Sequence, residues 1–193
     1  PYLVYTNLAT PDPESRIPAL VYALSAYIVM PPAMILLSVA VKWLVIGRYR
    51  AGDYPLWGSY YFRWWFVRRF TGVIPIQFLA GTPMMAVYYR MLGARIGKGV
   101  QLQLDNIDAP DLVEIGDGAI VSNGANLATT GVEHGVFRLG KVTIGQRAFV
   151  GTTAVIGRDA EIADDATLED LSMLPNGMRI PEGETWSGSP AGA

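Results

Sequence analysis

Within the stretch VTIGQRAFVGTTAVIGRDAEIADDATL, the residues Ile144, Val150, Ile156, Ile162 and Leu168 stand six apart each time. An α-helix repeats about every 3.6 residues and a strand about every two, so neither requires this spacing. The beat continues through Leu174, Ile180 and Trp186. An earlier block, Ile115, Val121 and Leu127, keeps the same six-residue spacing, as does a first pair, Ile96 and Leu102. A small residue follows most of these positions: Gly97, Gly116, Ser122, Ala128, Gly145, Gly151, Gly157 and Ala163. Four places after the aliphatic residue comes alanine, at Ala119, Ala125, Ala148, Ala154, Ala160 and Ala166.

A hexapeptide period specifies a parallel β-helix. Each hexad supplies one short strand and a corner, and three hexads close a triangular coil. The aliphatic side chain points inward and stacks on its counterparts about 4.8 Å above and below. The small neighbour is expected to permit a tight corner, because glycine tolerates positive φ and because a large side chain would clash. Helical spacing would scatter the same aliphatic residues around a cylinder, which excludes an amphipathic helix.

The first half of the chain differs in kind. Residues 1–90 hold eight Lys/Arg against three Asp/Glu, and residues 91–193 hold seven against fourteen. Residues 17–41, IPALVYALSAYIVMPPAMILLSVAV, carry no charge. That length exceeds the roughly 20 apolar residues of a membrane-spanning helix. Pro31 and Pro32 in its middle predict a kink or a break. The segment is too long for a signal-peptide core, and no small-residue cleavage site follows it. A second uncharged stretch, residues 71–89, is interrupted by Pro75, Gly81 and Pro83. It is expected to re-enter or lie in the membrane plane rather than to cross.

Between the two lies KWLVIGRYRAGDYPLWGSYYFRWWFVRRF, residues 42–70, with four tryptophans and four tyrosines among six basic residues and one acid. Aromatic residues mark the headgroup level and Lys/Arg the cytoplasmic side of a span. Residues 60–70 read as an interfacial helix. The adjacent span accounts for this basic and aromatic mixture better than nucleic acid does, so no nucleic-acid partner is expected. The division is a membrane anchor over residues 1–90, then a β-helix over 91–193.

The register breaks twice. LQLDNIDAPDLVEI separates Leu102 from Ile115 by 13 residues, and LATTGVEHGVFRLGKVTI separates Leu127 from Ile144 by 17. Neither is a multiple of six, so the chain must loop out of the prism, and loops on a rigid scaffold are where function concentrates. The second break holds His134, the one histidine of the chain. With a pKa near about 6.5, its imidazole is the natural general base for an amine or hydroxyl attacking a thioester. Glu133 would orient the ring, and Arg138 would hold a carboxylate or phosphate. In the first break, Asp105, Asn106, Asp108 and Asp111 suit either an amine substrate or turn-stabilising hydrogen bonds. Asn123 and Asn126 suit a corner or ladder position or a substrate contact. The candidate site is therefore His134 and Glu133 as catalytic residues, with Arg138, Asn123, Asp105 and Asp108 as substrate-binding residues. One histidine and no cysteine cannot build a zinc site within a single chain, so no metal is expected.

The segments at 42–70, FLAGTPMMAVYYRMLGARIG, DLVEIGDGAIVSNGANL and the terminal WSGSPA resemble epsilon-poly-lysine synthase-type nonribosomal peptide synthetases in their C-terminal region. There, adenylation and carrier domains precede transmembrane segments that carry tandem acetyltransferase-like domains. The resemblance implies a left-handed parallel β-helix, mainly β, preceded by membrane-associated α-helices. It implies amide-bond formation from a phosphopantetheine-linked aminoacyl thioester, with no cofactor bound by this segment itself. The implied partners are membrane lipid, the carrier and adenylation domains, and two further β-helix prisms. The implied location is the inner (plasma) membrane with the β-helix facing the cytoplasm. The family pattern places a histidine close to the position of Thr129 and Thr130 here, so His134 is either a shifted equivalent or part of a scaffold copy. The alternatives are a stand-alone membrane acyltransferase using acyl-CoA, and a non-catalytic copy completing a pseudo-trimer.

Overall fold

The computed structural model describes residues 13–72, 76–104 and 106–192, and Asp105 lies outside them. Each hexad forms a short strand, and successive strands visit three sheets in turn. One sheet stacks Arg95–Ile96, Val113–Ile115, Val142–Ile144, Glu161–Ile162 and Arg179–Ile180. A second stacks Gln101–Leu102, Ile120–Val121, Phe149–Val150, Thr167–Leu168 and Thr185–Gly188. The third is shorter, with Asn126–Leu127, Val155–Ile156 and Met173–Leu174. Neighbours pair in parallel with matched aliphatic residues, as in Ile144 beside Ile162 and Ile162 beside Ile180. The chain is a parallel β-helix.

Ile156, Ile162, Leu168, Leu174 and Ile180 are completely buried, and Ala148, Ala154 and Ala166 fill the corners between them. Trp186 pairs with Leu168 and partly covers the C-terminal end of this core.

Of the two reasons expected for the small residues, the clash holds and the positive φ needs correcting. Gly116 and Gly151 do not adopt positive φ; a Cβ at Gly151 would lie 2.4 Å from the Asp170 nitrogen, and one at Gly116 2.5 Å from the Gln146 nitrogen. Close approach of the next coil excludes a side chain there. Positive φ falls instead three places after the aliphatic residue, at Gly118, Gly124, Arg147, Thr153, Asp159, Asp165, Leu171 and Gly177. The left-handed corner is thus met by any residue, at a cost that glycine avoids.

Helix α1 (Pro13–Val45) is unbroken, so the break considered at Pro31 and Pro32 does not occur. The prolines forfeit two backbone bonds, and the helical turns on either side carry the geometry through. Its segment Val21–Val45 is long and apolar enough to cross a membrane. Tyr22, Leu24, Tyr27, Ile28 and Met30 are exposed, whereas Ser38 and Lys42 near the C-terminal end are buried. Helix α2 (Ser59–Thr71) buries Trp64 and Val67. It exposes Phe62, Trp65 and Phe66, spaced to share the opposite face. Helix α3 (Pro83–Met91), from the second uncharged stretch, packs Met85, Ala86, Tyr88 and Tyr89 into the same core as Ile96 and Leu102. It caps the N-terminal end of the prism and runs across the division at residue 90.

Candidate functional site

The two register breaks emerge from the same edge of the prism. The first takes the place of the third strand of the first coil, so it sits over Asn126–Leu127, where the third sheet begins. Its apolar residues Leu104, Ile107 and Ala109 are buried, and Asn106 between them is exposed. The second leaves the end of the next coil as a hairpin, Thr130–Glu133 and Val136–Leu139. Thr129, buried at its base, accepts a hydrogen bond from the Ala109 nitrogen at 3.2 Å, and the Thr130 hydroxyl donates to Asp108 Oδ2 at 2.9 Å. Thr129 and Thr130 thus bind the two excursions to each other.

A short strand from the linker, Gly52–Pro55, adds to the outer edge of the hairpin, pairing Asp53 with Arg138 and Tyr54 with Phe137. Phe137 packs at 4.6 Å from Trp64 and 5.3 Å from Tyr61, measured between ring centroids. This strand had no sequence signal, since four residues of GDYP carry neither alternation nor β-branched character.

The end of α1 is tied to the first excursion by a buried ion pair, Lys42 Nζ to Asp111 Oδ2 at 2.6 Å, with side-chain exposures of 1% and 8%. The Tyr49 nitrogen donates to the same carboxylate at 3.1 Å. Burial first, and then the Asp111 charge, push the Tyr49 phenol above its ordinary range.

His134 occupies the hairpin turn with Gly135, both at positive φ (50° and 77°), and its side chain is exposed. Two-residue turns of this kind require that backbone at both positions. Glu133 pairs with Arg158 of the prism and with Arg138 at 3.0 Å, and Arg138 reaches Asp53 at 3.6 Å. Arg158 first, then Arg138, holds the Glu133 carboxyl below the usual glutamate range. Glu133 and Arg138 therefore sit together in a charge chain from prism to hairpin to linker, beside His134 in sequence. Asn123 is exposed at a corner, where its carbonyl accepts from the Thr153 nitrogen at 3.0 Å.

Asp108 stands elsewhere, in a cleft of about 240 Å³ between α2 and the third sheet, lined also by Arg68, Asn106 and Asn126. Arg68 Nε contacts Asp108 Oδ1 at 2.9 Å, and Asn106 Nδ2 donates to it at 3.4 Å. The structure thus divides the candidate residues between a charge chain at the hairpin and a polar cleft at the first excursion. Sequence reasoning missed Arg68 in the cleft; its place in an interfacial aromatic segment masked it.

No family model matches the chain. It is 33% identical over 191 residues to the delta-poly-L-ornithine synthetase of Acinetobacter baumannii (strain AB307-0294). That alignment covers 99% of this chain and 14% of the synthetase, so the chain spans a small part of that protein. By its hexads and its coil topology, this is a hexapeptide-repeat chain. Among solved structures it is similar to a hexapeptide-repeat-containing acetyltransferase of Vibrio cholerae (TM-score 0.48, 10% identity, 84% of this chain and 90% of that one). It is also similar to a maltose O-acetyltransferase of Clostridium difficile 630 (TM-score 0.44, 16% identity, 56% and 72%). A third is the serine acetyltransferase of Neisseria gonorrhoeae in complex with serine (TM-score 0.39, 16% identity, 100% and 81%).

Proposed function

We propose that this chain is a β-helix unit of a membrane-bound poly-amino-acid synthase and supports amide-bond formation between an aminoacyl thioester and an amine. The observation that carries this reading is the 33% identity to a poly-ornithine synthetase along 99% of the chain, helices and prism together. An amine nitrogen attacks the thioester carbonyl, the C–N bond forms, the C–S bond breaks, and the thiolate leaves. The amine proton passes to a general base, for which His134 is the candidate, with Glu133 and Arg138 fixing the hairpin that carries it. Backbone N–H groups of a neighbouring coil would face the developing oxyanion. The thioester would come on the phosphopantetheine arm of a carrier domain; acyl-CoA is the alternative donor.

Helix α1 would anchor the unit in the inner membrane, with the exposed Phe62, Trp65 and Phe66 of α2 in the headgroup layer and the left-handed prism on the cytoplasmic side. Cysteine labelling from each side at Ser59 and Ser187 should report the same face. Opposite accessibility would overturn this topology. The outer faces of the second and third sheets present Ile120, Phe149 and Met173, whereas the first carries the pairs Arg95–Glu114 and Arg179–Glu161. Two further prisms would cover the apolar pair of faces.

A second reading, a scaffold copy, is favoured by the engagement of Thr129 and Thr130 in holding the first excursion. His134→Ala in the intact synthase separates the two. A catalytic base should cost about 10² to 10⁴ in polymer formation with assembly unchanged. Unchanged polymer formation would leave the scaffold reading in place.

A further inference from the structure

Arg68 and Asn106 both line three adjoining cavities: a small enclosed one against Lys42 and Tyr88, the cleft over Asn126, and an outer one reaching Arg69 and Gly72. Its guanidinium is fixed from two sides. Asp108 holds Nε at 2.9 Å, and the ring of Trp64 lies 5.4 Å from Cζ. Trp64 is itself buried and donates through Nε1 to the Asp108 carbonyl at 3.3 Å, so one indole positions both charges. Asp108 is held in turn by the Thr130 hydroxyl. The ion pair engages Nε, which leaves the paired Nη hydrogens of a half-exposed guanidinium for a ligand at the cleft. A planar fork of this kind matches a carboxylate in bidentate fashion.

We infer that this cleft is an acceptor subsite that reads the α-carboxylate of a free amino acid or of the end of a growing chain. Arg68 takes the carboxylate, while Asp108 and the side-chain carbonyls of Asn106 and Asn126 receive the ammonium group. The inference rests on the amide-forming reading above and names the acceptor for it. Charge balance favours a zwitterion over a phosphate group: one guanidinium stands beside one carboxylate, so a doubly charged anion would meet Asp108 unshielded. Thr129 and Thr130, which fasten the first excursion to the hairpin, act here as positioning residues for Asp108. The same fastening connects the acceptor cleft to the hairpin bearing His134.

The test is equilibrium binding of radiolabelled L-ornithine and of putrescine, the same diamine without its carboxylate, to the intact synthase in detergent. The wild-type protein should prefer L-ornithine. Arg68→Gln should weaken L-ornithine binding by about 10- to 100-fold, the value of a charged hydrogen-bonded contact, and leave putrescine binding unchanged. Arg68→Lys, which keeps the charge and loses the fork, should fall between. Equal weakening of both ligands would overturn the inference by showing that Arg68 only supports the cleft wall. Normal L-ornithine binding by Arg68→Gln would overturn it as well, and leaves the proposed function standing. Selective loss of L-ornithine binding with polymer formation unaltered in Arg68→Gln would overturn the inference too, since an acceptor subsite must matter to chain growth.

Discussion

The coils over residues 142–188 and the excursions that leave the first two coils solve the same problem by different means. In the later coils, the recurring partners are the same hexad position one coil on. The Gln146, Thr152 and Arg158 nitrogens donate to Asp164, Asp170 and Asn176, always across a separation of 18 residues. Each such coil is held by its nearest neighbours, so stability accumulates coil by coil. In the excursions, the partners are remote and unrepeated: Lys42 with Asp111, Trp64 with Phe137, Asp53 with Arg138. The repeat provides rigidity at low specificity. The excursions spend unique contacts on one edge, and there the cleft and the charge chain lie.

The largest effect that would sharpen this contrast is expected in the repeat. Ile156→Asp buries an unpaired carboxylate at a completely buried position and should unfold the prism, seen as loss of the monodisperse particle and of protease resistance. A normal particle would show that the coils tolerate independent defects. In the excursion half, Lys42→Ala strands Asp111 and should cost about 3–5 kcal/mol. Proteolysis should then open residues 103–112 first and leave 142–188 protected. Lys42→Met with Asp111→Leu should recover most of that loss in a thermal melt, since a well-packed apolar pair replaces a buried ionic one.

A smaller effect compares two corner positions in adjacent coils. Gly151→Ala should destabilise by about 1–3 kcal/mol through overpacking against the next coil. Leu171→Gly, at an exposed site with φ 56°, should stabilise by up to about 1 kcal/mol because it removes a left-handed penalty. If both change the melting temperature in the same direction, close approach and positive φ have not been separated correctly.

The smallest effect is in pH. The folded pKa of Glu133 is depressed, chiefly by Arg158, so its contribution is present above the ordinary glutamate value of about 4.3 and is lost as pH falls through the folded value. Hydrogen exchange at the hairpin should therefore rise on acidification before exchange in the later coils does. Simultaneous onset in both regions would show that Glu133 does not anchor the hairpin separately.

From the sequence alone came the β-helix, its inward residues, the two places where it is interrupted, and the apolar character of α1. A six-residue period determines these because each inward side chain meets its own repeat equivalent, a relation written in spacing. Legible too were Asp108 and Asn106 as polar residues in an excursion, and Glu133 and Arg138 near His134. Tertiary structure decided which of them meet. Arg68 joins Asp108 because α2 lies over the gap left by the missing third strand, and Gly52–Pro55 joins the hairpin because an exposed edge was available beside it. The small residue of each hexad was visible, and so was the clash that a larger one would meet; that the neighbour alone decides, and not a torsion, depends on the coil above, and that distance exists only once the chain has wound.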